Sequence, residues 1–268
     1  MKLLTLITGE RLPLSELTEL LSVLSANGVK ELSFSAFAYE KELNEPGFME
    51  AYLRLTEAAG LTFASAHGIW FHNNDLSWPD RDGRIDTVKT QQRYLERAAE
   101  AGCRTFILHP GMIFPRYSEA ELWENLRESI KMLIPAAKSN NIILALENSA
   151  PGLLGSNCDE LARFIRSFNS EWVGASFDAG CANISGNAVE NFVKLKDLVV
   201  TAVLHDNNGL SNQHLLPGQG IMDWKSLMAQ IISAPRILQC ETDFAGSHDR
   251  QKVLTALNVY RALPGITL

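Results

Sequence analysis

Apolar and polar positions along the chain alternate between two rhythms. Short, nearly continuous apolar runs occupy 2–7, 30–36, 61–66, 104–108, 142–147, 172–178, 199–205 and 236–241. Between them lie longer stretches, near 13–27, 47–60, 83–101, 118–140, 157–168, 187–197, 223–232 and 248–262, where apolar residues recur at helical spacing. A continuous apolar run suits a strand covered on both faces, as in a parallel sheet, and the longer spacing suits a helix with one buried face. Local signals agree. Ser118 stands three residues before Glu121, a capping-box pattern. Gly28, Gly60 and Gly102 each follow a helical stretch, where a left-handed cap is favoured. Eight such βα units, with no linker, charge block or low-complexity segment, predict a single (β/α)8 TIM barrel over residues 1–268. No GxGxxG follows a strand, which argues against a dinucleotide-binding sheet.

The ends of the runs carry the candidate chemistry, because a barrel of this kind builds its site at the C-terminal ends of its strands. The third run leads into His67, the fourth into His109, the fifth ends at Glu147, the sixth at Asp178, the seventh at His205 and the eighth at Glu241. The last four lie 31, 27 and 36 residues apart, about the length of a strand plus its crossover helix. One strand-end histidine would be an ordinary hydrogen-bonding residue. Six metal-competent side chains in succession predict a site instead of a solvated rim. Three carboxylates and an imidazole at one mouth repel unless a divalent cation neutralises them. Glu147, Asp178, His205 and Glu241 are therefore candidate metal ligands, and Mn, Mg, Co and Zn all tolerate such a donor set.

Composition narrows the partners. At 46% hydrophobic and 21% charged, the chain can bury a large core, and it lacks the long apolar stretch of a membrane span. Its apolar start meets Glu10 and Arg11 early and reads as a strand, not a signal peptide. Cys103, Cys158, Cys181 and Cys240 form no CxxC pair, so a reduced, cytoplasmic protein without a zinc ribbon is expected. The net charge of −7 argues against a nucleic-acid partner. Assembly into a homo-oligomer is left open.

Seven segments carry a family resemblance: Ser65-Ala-His67-Gly, Leu108-His109-Pro-Gly, Leu146-Glu147-Asn148, Phe177-Asp178-Ala-Gly-Cys181, Leu204-His205-Asp206-Asn207, His214-Leu-Leu-Pro-Gly-Gln-Gly220 with Asp223-Trp224, and Glu241-Thr242. In order and spacing the chain resembles the xylose-isomerase-like TIM barrel superfamily. That superfamily includes sugar and sugar-phosphate isomerases and epimerases and a branch of AP endonucleases. The resemblance implies one divalent metal cation on Glu147, Asp178, His205 and Glu241, and a small-molecule sugar or sugar phosphate as substrate. In the endonuclease branch, residues matching His67 and His109 join the one matching Glu147 to hold another zinc. A third zinc there needs a histidine where Cys181 stands and an Asp-x-His where Asn212-Gln213-His214 stands, so a trinuclear phosphodiesterase centre does not match. The family's histidine at the Cys181 position often touches substrate.

The chemistry expected is proton transfer through an enediolate. Glu147 and Glu241, three strands apart, would take and return a carbon-bound proton from different sides. Two carboxylates acting in turn suit an epimerase; one acting alone suits an aldose–ketose isomerase. An inosose- or dehydroshikimate-type dehydratase or lyase on the same site is the alternative, with an AP endonuclease-like phosphodiesterase behind it. His67, His109, Trp70, Cys181 and His214 are expected to bind or line the substrate, and Trp70 and Phe71 to wall a sugar ring or pack the loop. Asp206 could orient a ligand from behind. The glycine-rich stretch before Asp223 reads as turn chemistry. His72, Asn73 and Asn74 read as loop residues, His248 as a cap or surface residue, and Glu31 and Glu40 have no evident partner.

Overall fold

A computed structural model describes residues 2–7, 12–70, 74–242 and 249–267, with residues 2–7 described by backbone alone. Eight parallel strands form the barrel: β1 (Lys2–Ile7), β2 (Glu31–Phe34), β3 (Thr62–His67), β4 (Thr105–Leu108), β5 (Ile143–Glu147), β6 (Val173–Asp178), β7 (Val199–Leu204) and β8 (Gln239–Thr242). Each pairs with the next, and β8 pairs with β1, so the sheet closes. Around it run α1 (Leu14–Ala26), α2 (Ala36–Asn44), α3 (Phe48–Ala58), α4 (Arg81–Glu100), α5 (Glu119–Ser139), α6 (Cys158–Arg166), α7 (Ala179–Ile184), α8 (Ala188–Leu195), α9 (Trp224–Ile232) and α10 (Arg250–Arg261). Gly111–Met112 and Leu153–Leu154 form a small antiparallel pair above the barrel, and Ile266–Thr267 runs beside β1.

The helices form where their apolar faces predict. In α5 the buried residues Leu122, Trp123, Leu126, Ile130, Leu133 and Ala137 fall on one stripe, and Ser118 and Glu121 complete the capping box. Two helices depart from expectation. Ser35 ends the second run early because its side chain accepts from Phe37 N and starts α2. Asp178 caps α7 directly from the end of β6.

The main core lies between barrel and helices, with Phe34, Tyr52 and Phe63 in mutual ring contact. Inside the barrel the packing differs. Among the described residues, Ile107, Ala145 and Val200, with Ile143 against them, make a small apolar cluster there. Around it stand buried polar residues: Ser33, Ser65, Thr105, Ser176, Thr201 and Gln239. Such interiors are usually filled by branched apolar side chains. This one is linked by hydrogen bonds across the lumen, such as Gln239 Nε2 to Thr105 Oγ1 at 3.1 Å, from β8 to β4. Arg104 closes the opposite end, with its guanidinium on both oxygens of Glu31 at 2.7 and 2.8 Å, so Glu31 does have a partner. All four cysteines are free and buried. Among the described residues no helix is long and apolar enough to cross a membrane.

Candidate active site

The strand-end residues meet at the C-terminal mouth. His67, Glu147 and Asp178 are the last residues of β3, β5 and β6, and Glu241 is next to last in β8. His109 and His205 follow β4 and β7 by one residue. Asp178 and Glu241 both pair in register with Val203, so they flank β7 at one height, while Glu147 pairs with Ser176. Each carboxylate is buried and has an imidazole beside it. His67 Nε2 lies 2.8 Å from Glu241 Oε2, His205 Nε2 3.1 Å from Asp178 Oδ1, and His109 Nδ1 3.7 Å from Glu147 Oε1.

Other side chains hold these groups in place. Ser176 Oγ donates to Glu147 Oε2 at 2.8 Å. Asn148 and Asp178 exchange two bonds: Asp178 N donates to Asn148 Oδ1 at 2.8 Å, and Asn148 Nδ2 donates to Asp178 O at 2.9 Å. The Cys181 amide donates to Asp178 Oδ1 at 2.6 Å. His205 is clamped between two surfaces. The His214 ring stacks on it at 4.1 Å and 7°, and a Cβ on Gly180 would come within 1.9 Å of its ring. His214 takes a left-handed φ of 49° to do so. Asn207 ties this region together, donating to Gly180 O and accepting from Asn183 Nδ2.

The loop after β7 is built around Asp206. Its carboxylate accepts from the backbone of Asn207, Gly218 and Met222 and from Trp224 Nε1 at 2.8–3.3 Å. A Cβ on Gly220 would lie 2.2 Å from Asp206 Oδ1, so glycine is needed for this close wrap. The glycine-rich stretch is thus turn chemistry, and the contacts of Asp206 are to its own loop and to Trp224. Trp70 packs on the His109 ring at 4.3 Å. Cys181 is buried, with Asn212 Nδ2 4.0 Å from its sulfur. Phe71, His72, Asn73 and His248 lie outside the described residues.

Crowding of charge moves the pKa values apart. Burial drives the Glu147 carboxyl up to about 7, with Asp178 and Glu241 adding to the rise and His67 and Ser176 opposing it. Burial also acts to raise Asp178, but His205 and the Cys181 amide outweigh it and hold it below the usual carboxylate range. Burial, then His67, lowers His109 to about 3, so its ring is neutral. Burial beside Asp178 and Glu147 pushes the Cys181 thiol far up.

This donor set suits a hard divalent cation: carboxylate oxygens in excess, imidazole nitrogen at hand, and Glu147 raised by the neighbouring Asp178 and Glu241. Among the described residues no Lys or Arg pairs with Glu147, Asp178 or Glu241, and no three His, Cys, Asp or Glu side chains gather closely enough to hold an ion as they stand. The carboxylates turn instead to the histidines. Ser176, Thr201 and Gln239 do not stand out in the sequence, and Asn148, Gly180 and Asn207 stood in the matching segments without a role. A signal existed for two: Ser176 and Gln239 stand two positions before Asp178 and Glu241, hence on the same strand face.

Among proteins of known sequence, the chain is similar to an uncharacterized protein of Methanocaldococcus jannaschii, 28% identical over 165 residues, covering 59% of this chain and 56% of that one. An uncharacterized protein of Sinorhizobium fredii is 24% identical over 165 residues, 59% of this chain and 52% of its own. The chain thus spans just over half the length of these relatives. In fold it is similar to a D-tagatose 3-epimerase-like protein (TM-score 0.75, 20% identity, 96% and 97% of the two chains). It is likewise similar to a D-psicose 3-epimerase of Clostridium cellulolyticum with D-tagatose (0.75, 13%, 98% and 99%) and an IolI protein with a zinc atom (0.77, 13%, 97% and 95%). The family model described as xylose isomerase-like TIM barrel matches residues 26–263. With eight strands closed around a mouth of paired acids and imidazoles, the chain belongs to that xylose isomerase-like TIM barrel family.

Proposed function

We propose that this chain is a divalent-metal-dependent sugar or sugar-phosphate isomerase or epimerase. The observation that carries the reading is the pair Glu147 and Glu241, two buried carboxylates entering one mouth from β5 and β8. Glu147, Asp178, His205 and Glu241 would hold the cation. When bound, it supplies Lewis-acid stabilisation of negative charge developing on substrate oxygens. Glu147, buried and held by Ser176, is suited to take and return a proton at the carbon beside a carbonyl. Glu241 faces that carbon from the opposite side and supplies the second acid. Neutral His109 offers hydrogen bonds to hydroxyls and His67 stands beside it, Trp70 braces His109, and Cys181 and His214 line the space around His205 and Asp178. The solved epimerases similar in fold support a sugar as substrate.

Incubation with candidate ketoses and Mn2+ in D2O tests this. The expected result is deuterium at the carbon next to the carbonyl, without hydrolysis, and its loss in Glu147→Gln. Retained turnover in Glu241→Gln would leave a one-base isomerase. Metal-dependent nicking of abasic DNA at sub-stoichiometric enzyme would overturn the reading.

A further inference from the structure

The feature the proposed chemistry does not use is the polar column through the barrel beneath Glu241. It starts at the far end, where Arg104 pairs with Glu31. The same Arg104 NH2 donates to Gln239 Oε1 at 3.3 Å. The other end of that amide, Nε2, donates to Thr105 Oγ1 at 3.1 Å and to Glu241 Oε1 at 3.4 Å. Thr201 Oγ1 donates to the same Glu241 oxygen at 3.5 Å. Gln239, Glu241, Thr105 and Thr201 are all fully buried.

The chemistry of an amide makes this arrangement directional. Its oxygen can only accept and its nitrogen can only donate. With Arg104 claiming the oxygen, the nitrogen must face Glu241. A turned amide would set oxygen against carboxylate and nitrogen against guanidinium, leaving buried groups unmatched. A polar residue spanning the lumen of a barrel, where branched apolar side chains are usual, needs such a reason. Glu241 is held at both oxygens: Oε2 by His67, Oε1 by Gln239 and Thr201. If His67 turns to substrate, the contacts from below are those that remain.

We infer that Gln239 is a positioning residue that aims Glu241 into the mouth, with Arg104 setting the direction of its amide from the opposite end of the barrel. The inference rests on the reading of Glu241 as a cation-binding carboxylate. Mn2+ binding to the full chain, followed calorimetrically, tests it in the wild type, Gln239→Met, Glu241→Gln and the double variant. Groups that hold a metal ligand typically alter affinity about 10- to 100-fold when removed. Gln239→Met is expected to weaken Mn2+ binding by that order and to add nothing further in the Glu241→Gln background, read at higher Mn2+ concentration. Wild-type affinity in Gln239→Met, with a loss in Glu241→Gln, would overturn the inference alone. An equal loss on both backgrounds would also overturn it, because it would report general loosening. Wild-type affinity in Glu241→Gln would overturn the reading of Glu241 and the inference with it. Should Gln239→Met fail to fold, Arg104→Met decides, since its side chain is 43% exposed. It is expected to weaken Mn2+ binding only where Glu241 is present, and unchanged affinity would contradict the proposal.

Discussion

At the scale of single residues, the mouth is governed by acids that differ in their hold on protons. The raised pKa of Glu147 has a defined sign. Its folded value lies above its ordinary 4.5, so the fold favours the neutral acid. The resulting stabilisation is complete below that ordinary value and is lost as pH rises through about 7. The wild-type melting temperature minus that of Glu147→Gln, measured without metal, should therefore fall as pH rises from 4.5 to about 7. A cation takes the carboxylate and not the acid, so Mn2+ affinity should rise over the same window, with proton release detectable in buffers of different ionisation heat. Affinity that is flat with pH would contradict the assignment of Glu147 as a ligand. The six strand-end residues were legible in the sequence because each ends an apolar run with a group that cannot stay buried alone. Their partners were less legible. Ser176 and Asn148 are ordinary residues whose role depends on which strand lies beside them, and a linear pattern does not give that neighbour.

Elements place these residues, and two short ones have large effects. α7 presents Gly180 to the flat face of His205, where no Cβ fits. Gly180→Ala should tilt His205, cost about 1–3 kcal/mol by overpacking and lower Mn2+ affinity. Urea unfolding together with calorimetry checks both effects, and normal Mn2+ affinity would show that the clamp is unimportant to the site. The loop after β7 rests on Asp206. Asp206→Ala strands three buried donors and a partly exposed fourth and should cost about 3 kcal/mol in urea unfolding. A loss under about 0.5 kcal/mol, the size of an ordinary surface change, would show that the loop is held elsewhere. Eight helices were legible because each carries an apolar stripe at helical spacing. α7 has six residues, too few to show a period, and α2, though as long as α6 and α9, buries only Ala38 and Tyr39. Their starts depend on side-chain caps, Asp178 and Ser35, that the apolar runs had claimed as strand.

At the scale of the molecule, closure of β8 on β1 assembles the site, because it brings the last strand beside the first and Glu241 into reach of His67 across the mouth. The alternation of eight βα units showed the barrel in the sequence. The polar lumen was not visible there, since Ser, Thr and Gln within apolar runs look like tolerated exceptions until the strands close and face them toward one another. Glu147, Asp178, His205 and Glu241 are proposed to hold one divalent cation. The most direct test is a crystal of the protein grown with Mn2+, with diffraction collected at the manganese edge. One anomalous peak is expected at the mouth, about 2.0–2.4 Å from an oxygen or nitrogen of each of the four side chains. A peak held by other residues, or no peak at the mouth at saturating Mn2+, would contradict it.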